Sequence, residues 1–325
     1  MSVRALVRQN VSVPKRLSPP LVVADEVSDA IASGRGVVAL ESTIISHGLP
    51  TESAARTARQ IEGEVRRHGA TPATIAVVDG TVRVGLDDET LVRVAEDADV
   101  VKASIRDLSV VMSRGLVGAT TVAATTYLAS LAGIGVFATG GLGGVHRDAQ
   151  ATWDESADLA AIAGSPVTVV CAGVKSILDV PATLERLETL SVTVLGYGTD
   201  TFPGFYIRDS GVPAPWRVDS VDDIAGILRD RELLGLRQGV VVGNPIDADD
   251  EMDPELHRLN LESGLEEVRR RRISGKDVTP FLLGWFHEQT GGVSLAANVA
   301  LVLGNAALAA RIASAELPNQ ARTED

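Results

Sequence analysis

Val167-Thr-Val-Val-Cys-Ala-Gly-Val-Lys175 decides the reading of the fold. A short β-branched run ends in Ala-Gly, and the helical pattern that follows Lys175 makes it one strand of a strand-helix unit. The same grammar recurs at Val37 to Ser42, Thr74 to Val78, Val136 to Thr139, Val192 to Gly196 and Val240 to Gly243. Strands alternating with helical stretches define an α/β protein on a mainly parallel sheet. Predicted helices run from Glu52 to His68, with Thr51 before and Gly69 as C-cap, from near Thr120 to Leu131, and from Ser294 to Ile312. Phe202 to Trp216 contains Pro203, Pro213 and Pro215 and reads as a loop or covering flap.

The chain has 325 residues, 45% hydrophobic but only 3% aromatic, so Ala, Val, Leu and Ile must fill the core. One large domain over residues 21–315 is expected, with loose tails at 1–20 and 316–325. A net charge of -13 argues against affinity drawn from nucleic-acid phosphates, because that binding needs Lys and Arg to displace counterions. The run Arg269 to Arg272 closes a Glu-rich helical pattern, where cations suit the helix dipole. Cys171 is the only cysteine, so no intramolecular disulfide forms, and its apolar setting favours burial over reactivity. No secretory signal and no apolar run near ~20 residues is read from the sequence, so a cytoplasmic protein without a membrane partner is expected.

Several residues can carry chemistry. Lys175 and Glu41 each end an apolar strand, the place where open α/β sheets bind ligands. Desolvation lowers the proton affinity of a lysine and frees a nucleophilic amine; snorkelling at the surface is the alternative. A carboxylate at an apolar strand end is paired structurally or used as acid and base. The loop Thr139-Gly-Gly-Leu-Gly-Gly-Val-His-Arg147 is either a tight turn or an anion nest, and it lacks both the dinucleotide fingerprint and the P-loop pattern. Gly118-Ala-Thr-Thr121 is expected to open a helix, as an ordinary cap or as a phosphate site. Lys102 and Arg106 are a solvated pair or binding cations. His47 and His146 lack metal-ligand spacing. Asp154, Ser156 and Asp158 fit either a hard cation or a helix cap.

Taken together, these stretches resemble the pseudouridine-5'-phosphate glycosidase family, itself similar to indigoidine synthase A. The matching motifs are Glu41-Ser-Thr-Ile-Ile-Ser-His-Gly48, Gly69-Ala-Thr-Pro-Ala-Thr-Ile-Ala76, Lys102-Ala-Ser104 with Arg106-Asp-Leu108, Gly118-Ala-Thr-Thr-Val-Ala123 and the glycine-rich loop. They continue through Val170-Cys-Ala-Gly-Val-Lys-Ser-Ile-Leu-Asp179, Gly196-Tyr-Gly-Thr-Asp200, Thr279-Pro-Phe-Leu-Leu283 and Thr290-Gly-Gly-Val-Ser-Leu-Ala-Ala-Asn298. The likeness extends from about Pro20 to Ala315.

The resemblance implies a three-layer α/β/α sandwich, a homotrimer, and a small-molecule substrate, pseudouridine 5'-phosphate, reversibly cleaved to uracil and ribose 5-phosphate. It implies one divalent ion, Mn2+, per subunit, held by Asp154. Lys175 is implied as the nucleophile, Glu41 as the proton donor and Asn298 as a further active-site residue. Lys102, Val122, Ser156, Ala157 and Asp158 are implied substrate contacts, and His146 matches the family's loop histidine. Thr120 and Thr121 join them as helix-start donors to phosphate.

Pseudouridine joins its sugar and base through carbon, so cleavage needs an electron sink that two carboxylates do not supply and a Lys175 imine with ring-opened ribose does. Two alternatives stand beside this reading. One is an imine-forming enzyme that joins a sugar phosphate to another nucleophile; the other is a non-catalytic sugar-phosphate sensor, for which an amine beside an acid has no use.

Overall fold

The structure, a computed structural model, describes residues 21–273 and 278–315. The tails expected at 1–20 and 316–325 lie outside them. The strands are β1 (Leu21–Val23), β2 (Val37–Leu40), β3 (Thr71–Val78), β4 (Thr81–Val84), β5 (Val101–Ala103), β6 (Gly118–Thr120), β7 (Val136–Ala138), β8 (Thr168–Cys171), β9 (Thr193–Tyr197), β10 (Trp216–Val218) and β11 (Val240–Gly243).

The helices are α1 (Asp25–Ala32), α2 (Thr43–His47), α3 (Thr51–Arg67), α4 (Asp88–Glu96), α5 (Ile105–Ser113), α6 (Val122–Leu131), α7 (Ala149–Thr152), α8 (Ala157–Ala163), α9 (Val180–Thr189), α10 (Val221–Leu233), α11 (Pro254–Arg271), α12 (Val278–Gln289) and α13 (Val293–Ala315).

Strands β3, β2, β7, β8, β11, β9 and β10 lie side by side, all parallel. Every residue of β2, β3, β7, β8 and β11 is buried, as expected of strands covered on both faces. Helices α3, α10 and α13 pack together on one face, while α6, α8 and α9 cover the other. The expected three-layer α/β/α arrangement is present, around a mainly parallel or mixed sheet as expected, its antiparallel pairs being those of β3 with β4 and β6.

The mixed part begins at β3. Its first half, Thr71 to Thr74, pairs with β2; its second half pairs antiparallel with β4 and β6. At this fork the Ile75 carbonyl accepts from Ser42 Oγ at 2.7 Å and Thr120 Oγ1 at 2.6 Å, and Thr120 N donates to Ser42 Oγ at 2.8 Å. Two hydroxyls thereby occupy the gap where β2 has ended, sparing a buried carbonyl the cost of losing its partner.

Two expectations do not hold. Gly118 to Thr120 form β6 instead of the start of a helix, because they pair with β3 and β5; the helix is capped by Thr121, whose Oγ1 accepts from Ala124 N. The apolar length read from the sequence was also too short: α13 has 23 residues and is long and apolar enough to cross a bilayer by length and composition. It instead packs against β2, β7 and β8 in the core. The six predicted strands, α3 and the Phe202 to Trp216 loop are found where the sequence places them, with Trp216 beginning β10. Arg270 and Arg271, in the last turn of α11, pair with Glu267.

Candidate active site

The carboxyl ends of β2, β7 and β8 supply adjacent segments, and these build the site. Glu41 follows β2 directly and is 9% exposed. Thr139, just after β7, donates its hydroxyl to Glu41 Oε1. Burial raises the proton affinity of Glu41; Lys175 opposes this most, followed by the Thr139 hydrogen bond, while Asp158 adds to it and Lys102 counters it. Such a carboxyl keeps its proton to higher pH than an ordinary glutamate, the direction that favours a general acid.

Lys175 stands beyond β8 in the segment Ala172-Gly-Val-Lys, which zips onto the loop after β7. Leu142 N donates to Gly173 O at 2.9 Å and Lys175 N to Leu142 O at 3.0 Å. Gly173 has φ 94°, and a Cβ there would lie 2.0 Å from Pro203 O, so only glycine lets the flap close over this turn. The Lys175 Nζ donates to Gly141 O at 2.6 Å. The glycine loop therefore touches both candidate side chains, Glu41 through Thr139 and Lys175 through Gly141.

Glu41 and Lys175 share the wall of two compartments. One is a polar cavity of about 670 Å³, also lined by Lys102, Ser104, Thr121, Val122, His146, Asp154, Ser156, Ala157 and Asp158. The other is a crevice of about 80 Å³ walled by Ile44, His47, Phe205, Pro280, Leu283 and Asn298. Lys102 faces the cavity, and its proton affinity is lowered by partial withdrawal from water and by Lys175. Burial, then Lys102, lowers that of His47. Asn298, on the crevice wall, is 6% exposed, and its Oδ1 is a buried acceptor without a hydrogen-bond partner.

The Asp158 carboxylate is already satisfied, accepting from Ala123 N at 3.0 Å and Gly143 N at 2.8 Å. Ser156 caps α8 by accepting from Asp158 N at 3.2 Å. Asp158 and Ser156 thus brace the glycine loop against α6 and α8, which fits the cap reading of that cluster. Asp154 lines the cavity as well, with His146 Nδ1 3.8 Å from its Oδ2. Among the described residues no group of three acidic, histidine or cysteine side chains is arranged to cage a metal. A hard cation at Asp154 would have to take its remaining oxygens from water and substrate.

Of the predicted site residues, Thr120 is the one turned away. It is 0% exposed with its hydroxyl committed to the Ile75 carbonyl, so it secures the sheet fork instead of meeting substrate. Missed by sequence reasoning was Asn305, which is also fully buried and donates from α13 to Thr139 O at 2.7 Å. Its signal was its spacing of seven from Asn298 in a mostly apolar helix, which puts both amides on one helix face.

Lys175 and the buried Glu41 at the parallel strand ends, beside a cavity that Lys102, Arg106 and Asp154 also line, define an α/β enzyme site suited to an anionic substrate. Residues 26–315 match the family described as indigoidine synthase A like protein. The chain belongs to that family. It is 56% identical over 297 residues to the pseudouridine-5'-phosphate glycosidase of Salinispora tropica, covering 91% of this chain and 92% of that one. The Streptomyces griseus protein of the same name is also 56% identical, with the same coverage. Among solved structures, the prealnumycin C-glycosynthase in complex with ribulose 5-phosphate superimposes with TM-score 0.86 at 37% identity, covering 95% of this chain and 99% of that one. An indigoidine synthase A-like protein from Thermotoga maritima gives 0.82 at 34%, covering 92% and 97%.

Proposed function

We infer that this chain is a pseudouridine-5'-phosphate glycosidase, cleaving the C-glycosidic bond to release uracil and ribose 5-phosphate. The observation that carries the reading is the placement of Glu41 and Lys175 on one wall, both held by the loop Thr139 to Gly141. The identity to curated glycosidases over nine-tenths of the chain supports it.

In this reading the Lys175 amine bonds to C1' as the bond from C1' to the ring oxygen breaks, and that oxygen takes the proton the amine releases. The nitrogen lone pair then forms C=N while the C1'–C5 bond breaks, and the proton held by Glu41 passes to uracil C5. Water hydrolyses the imine, regenerating the amine and releasing ribose 5-phosphate. A carbanion never leaves unprotonated, which is why acid and amine must face one atom pair.

The polar cavity, with Lys102, Ser104, Thr121, Ser156 and backbone N–H groups, suits the phosphorylated sugar; the crevice beside Asn298 suits the flat base. Asp154 would hold a divalent ion, manganese by family resemblance, which supplies positive charge to substrate oxygens. A cytoplasmic homotrimer with one ion per subunit completes the proposal. Light scattering at micromolar concentration measures the assembly, and a monomer mass rejects the trimer.

Incubating purified protein and a divalent ion with pseudouridine 5'-phosphate tests the function: uracil and ribose 5-phosphate in equal amounts are expected. A second reading, joining a sugar phosphate to another ring, is favoured by the likeness to the C-glycosynthase. Failure to release uracil, with product formed from ribose 5-phosphate and a different aromatic acceptor, would select it.

A further inference from the structure

Two asparagines outside both compartments hold the loop on which the reactive pair depends. Asn305, on α13, donates from Nδ2 to Thr139 O at 2.7 Å and to Gly140 O at 3.2 Å. Its Oδ1 accepts from Asn244 Nδ2 at 3.0 Å. Asn244 follows β11, and its backbone N donates to Cys171 O at 2.8 Å. The chain Asn244–Asn305–Thr139/Gly140 therefore ties the ends of β7, β8 and β11 to one helix.

Neither amide lines the compartments that hold Glu41 and Lys175. The orientation of Asn305 is fixed: an inverted amide would set its oxygen against two carbonyls and its nitrogen against the Asn244 donor. A polar side chain fully buried in an apolar helix is costly unless satisfied, and here both ends are satisfied by the segments next to the reacting groups. Thr139 carries the hydroxyl on Glu41, and Gly141, one residue past Gly140, carries the carbonyl on Lys175.

We propose that Asn305, oriented by Asn244, is a positioning residue that sets acid and amine together by fixing the backbone of Thr139 and Gly140. The proposal rests on the reading of Glu41 and Lys175 as the reacting pair. Displacement of this backbone moves both side chains at once, and a misplacement on the order of 1 Å costs ~10²-fold in rate. Substrate contacts made by Lys102, Thr121 and Ser156 stay in place, so the loss falls on kcat with little change in KM.

The test uses Asn305→Ser and the milder Asn244→Ala in the full chain. Each is checked for fold by circular dichroism and melting, then assayed for kcat, KM and pH–rate profile with pseudouridine 5'-phosphate. In parallel, ¹³C-glutamate NMR assigns the Glu41 carboxyl by its absence in Glu41→Gln and follows its titration in each background, a reading that needs no turnover. The groups facing Glu41 are Lys175, Lys102 and Asp158, all left intact.

The expected result is folded variants, kcat lowered ~10- to 10²-fold at unchanged KM, and Glu41 titrating at higher pH as the Thr139 hydrogen bond weakens, with Asn244→Ala the smaller in both. Should Asn305→Ser fail to fold, Asn244→Ala carries the test alone. Unchanged Glu41 titration in a folded variant overturns the proposal, as does an unchanged kcat with only a lower melting temperature. A wild type without turnover refutes the functional reading alone, because the Glu41 titration still reports on the positioning.

Discussion

Lys175 Nζ donates to the carbonyl oxygen of Gly141 at 2.6 Å, two residues along the chain from the Thr139 hydroxyl that holds Glu41. A Cβ on Gly141 would meet the Phe205 ring at 2.6 Å and Gly173 O at 3.2 Å. Gly141→Ala is expected to fold and to lose about 10- to 10²-fold in kcat by shifting the carbonyl that fixes the amine. Steady-state kinetics check this, and undiminished kcat would separate the Gly141 contact from catalysis.

Glu41→Gln keeps volume and removes the proton. Turnover is expected to drop about 10²- to 10⁴-fold, the usual contribution of a positioned acid. Folded Glu41 holds its proton to higher pH than the unfolded chain, because burial outweighs the help from Lys175 and Thr139. In that window the native state binds more protons, so wild-type stability falls as pH rises from the ordinary glutamate range through the raised value and is flat beyond it. Melting temperatures of wild type and variant measured across pH 4 to 8 should show the variant gaining relative to wild type as pH rises. A constant difference would mean that Glu41 titrates alike folded and unfolded.

Six strands and the helices α3 and α13 were legible because each is a continuous apolar run or a strong helical period. β1, β5 and β6 were not: three residues such as Val101-Lys-Ala103 carry no period, and their existence depends on pairing with distant segments. Gly118-Ala-Thr120 looked like the entrance to α6 because local propensity cannot register the Ile75 carbonyl waiting across the fork. Lys175 and Glu41 were singled out as strand-end residues, but their sharing of one wall follows from the strand order β2-β7-β8. Asn305 stayed hidden because its partners, Thr139 and Gly140, lie 166 and 165 residues away.

Asp154 is the one carboxylate proposed to hold the ion. Exhaustive chelation is expected to abolish most activity and added Mn2+ to restore it, whereas Asp154→Asn should need more Mn2+ for half-activation. Calorimetric titration of Mn2+ into both proteins gives a reading independent of turnover. Full activity after chelation would remove the metal from the mechanism.

His257 sits 5% exposed among Tyr206 and Phe286, with Nε2 lacking a partner, and its proton affinity is lowered to about 4 by burial and then by Arg147. The unfolded histidine binds its proton near ~6.5, so between that value and about 4 the unfolded state holds more protons and stability falls as pH falls. The loss is on the order of 2 to 3 kcal/mol across this window, read by urea titration at pH 7 and pH 4. His257→Phe should lose less over the same interval. An equal loss in both proteins would assign acid sensitivity to other groups.

The most direct measurement is borohydride reduction of the protein with ribose 5-phosphate, followed by peptide mass spectrometry. An imine between Lys175 and C1' requires reduction to leave the sugar phosphate as a stable secondary amine on the peptide containing Lys175, and Lys175→Arg should abolish the label. Sugar on Lys102 instead, or no adduct under conditions of turnover, would contradict the assignment of Lys175 as the nucleophile.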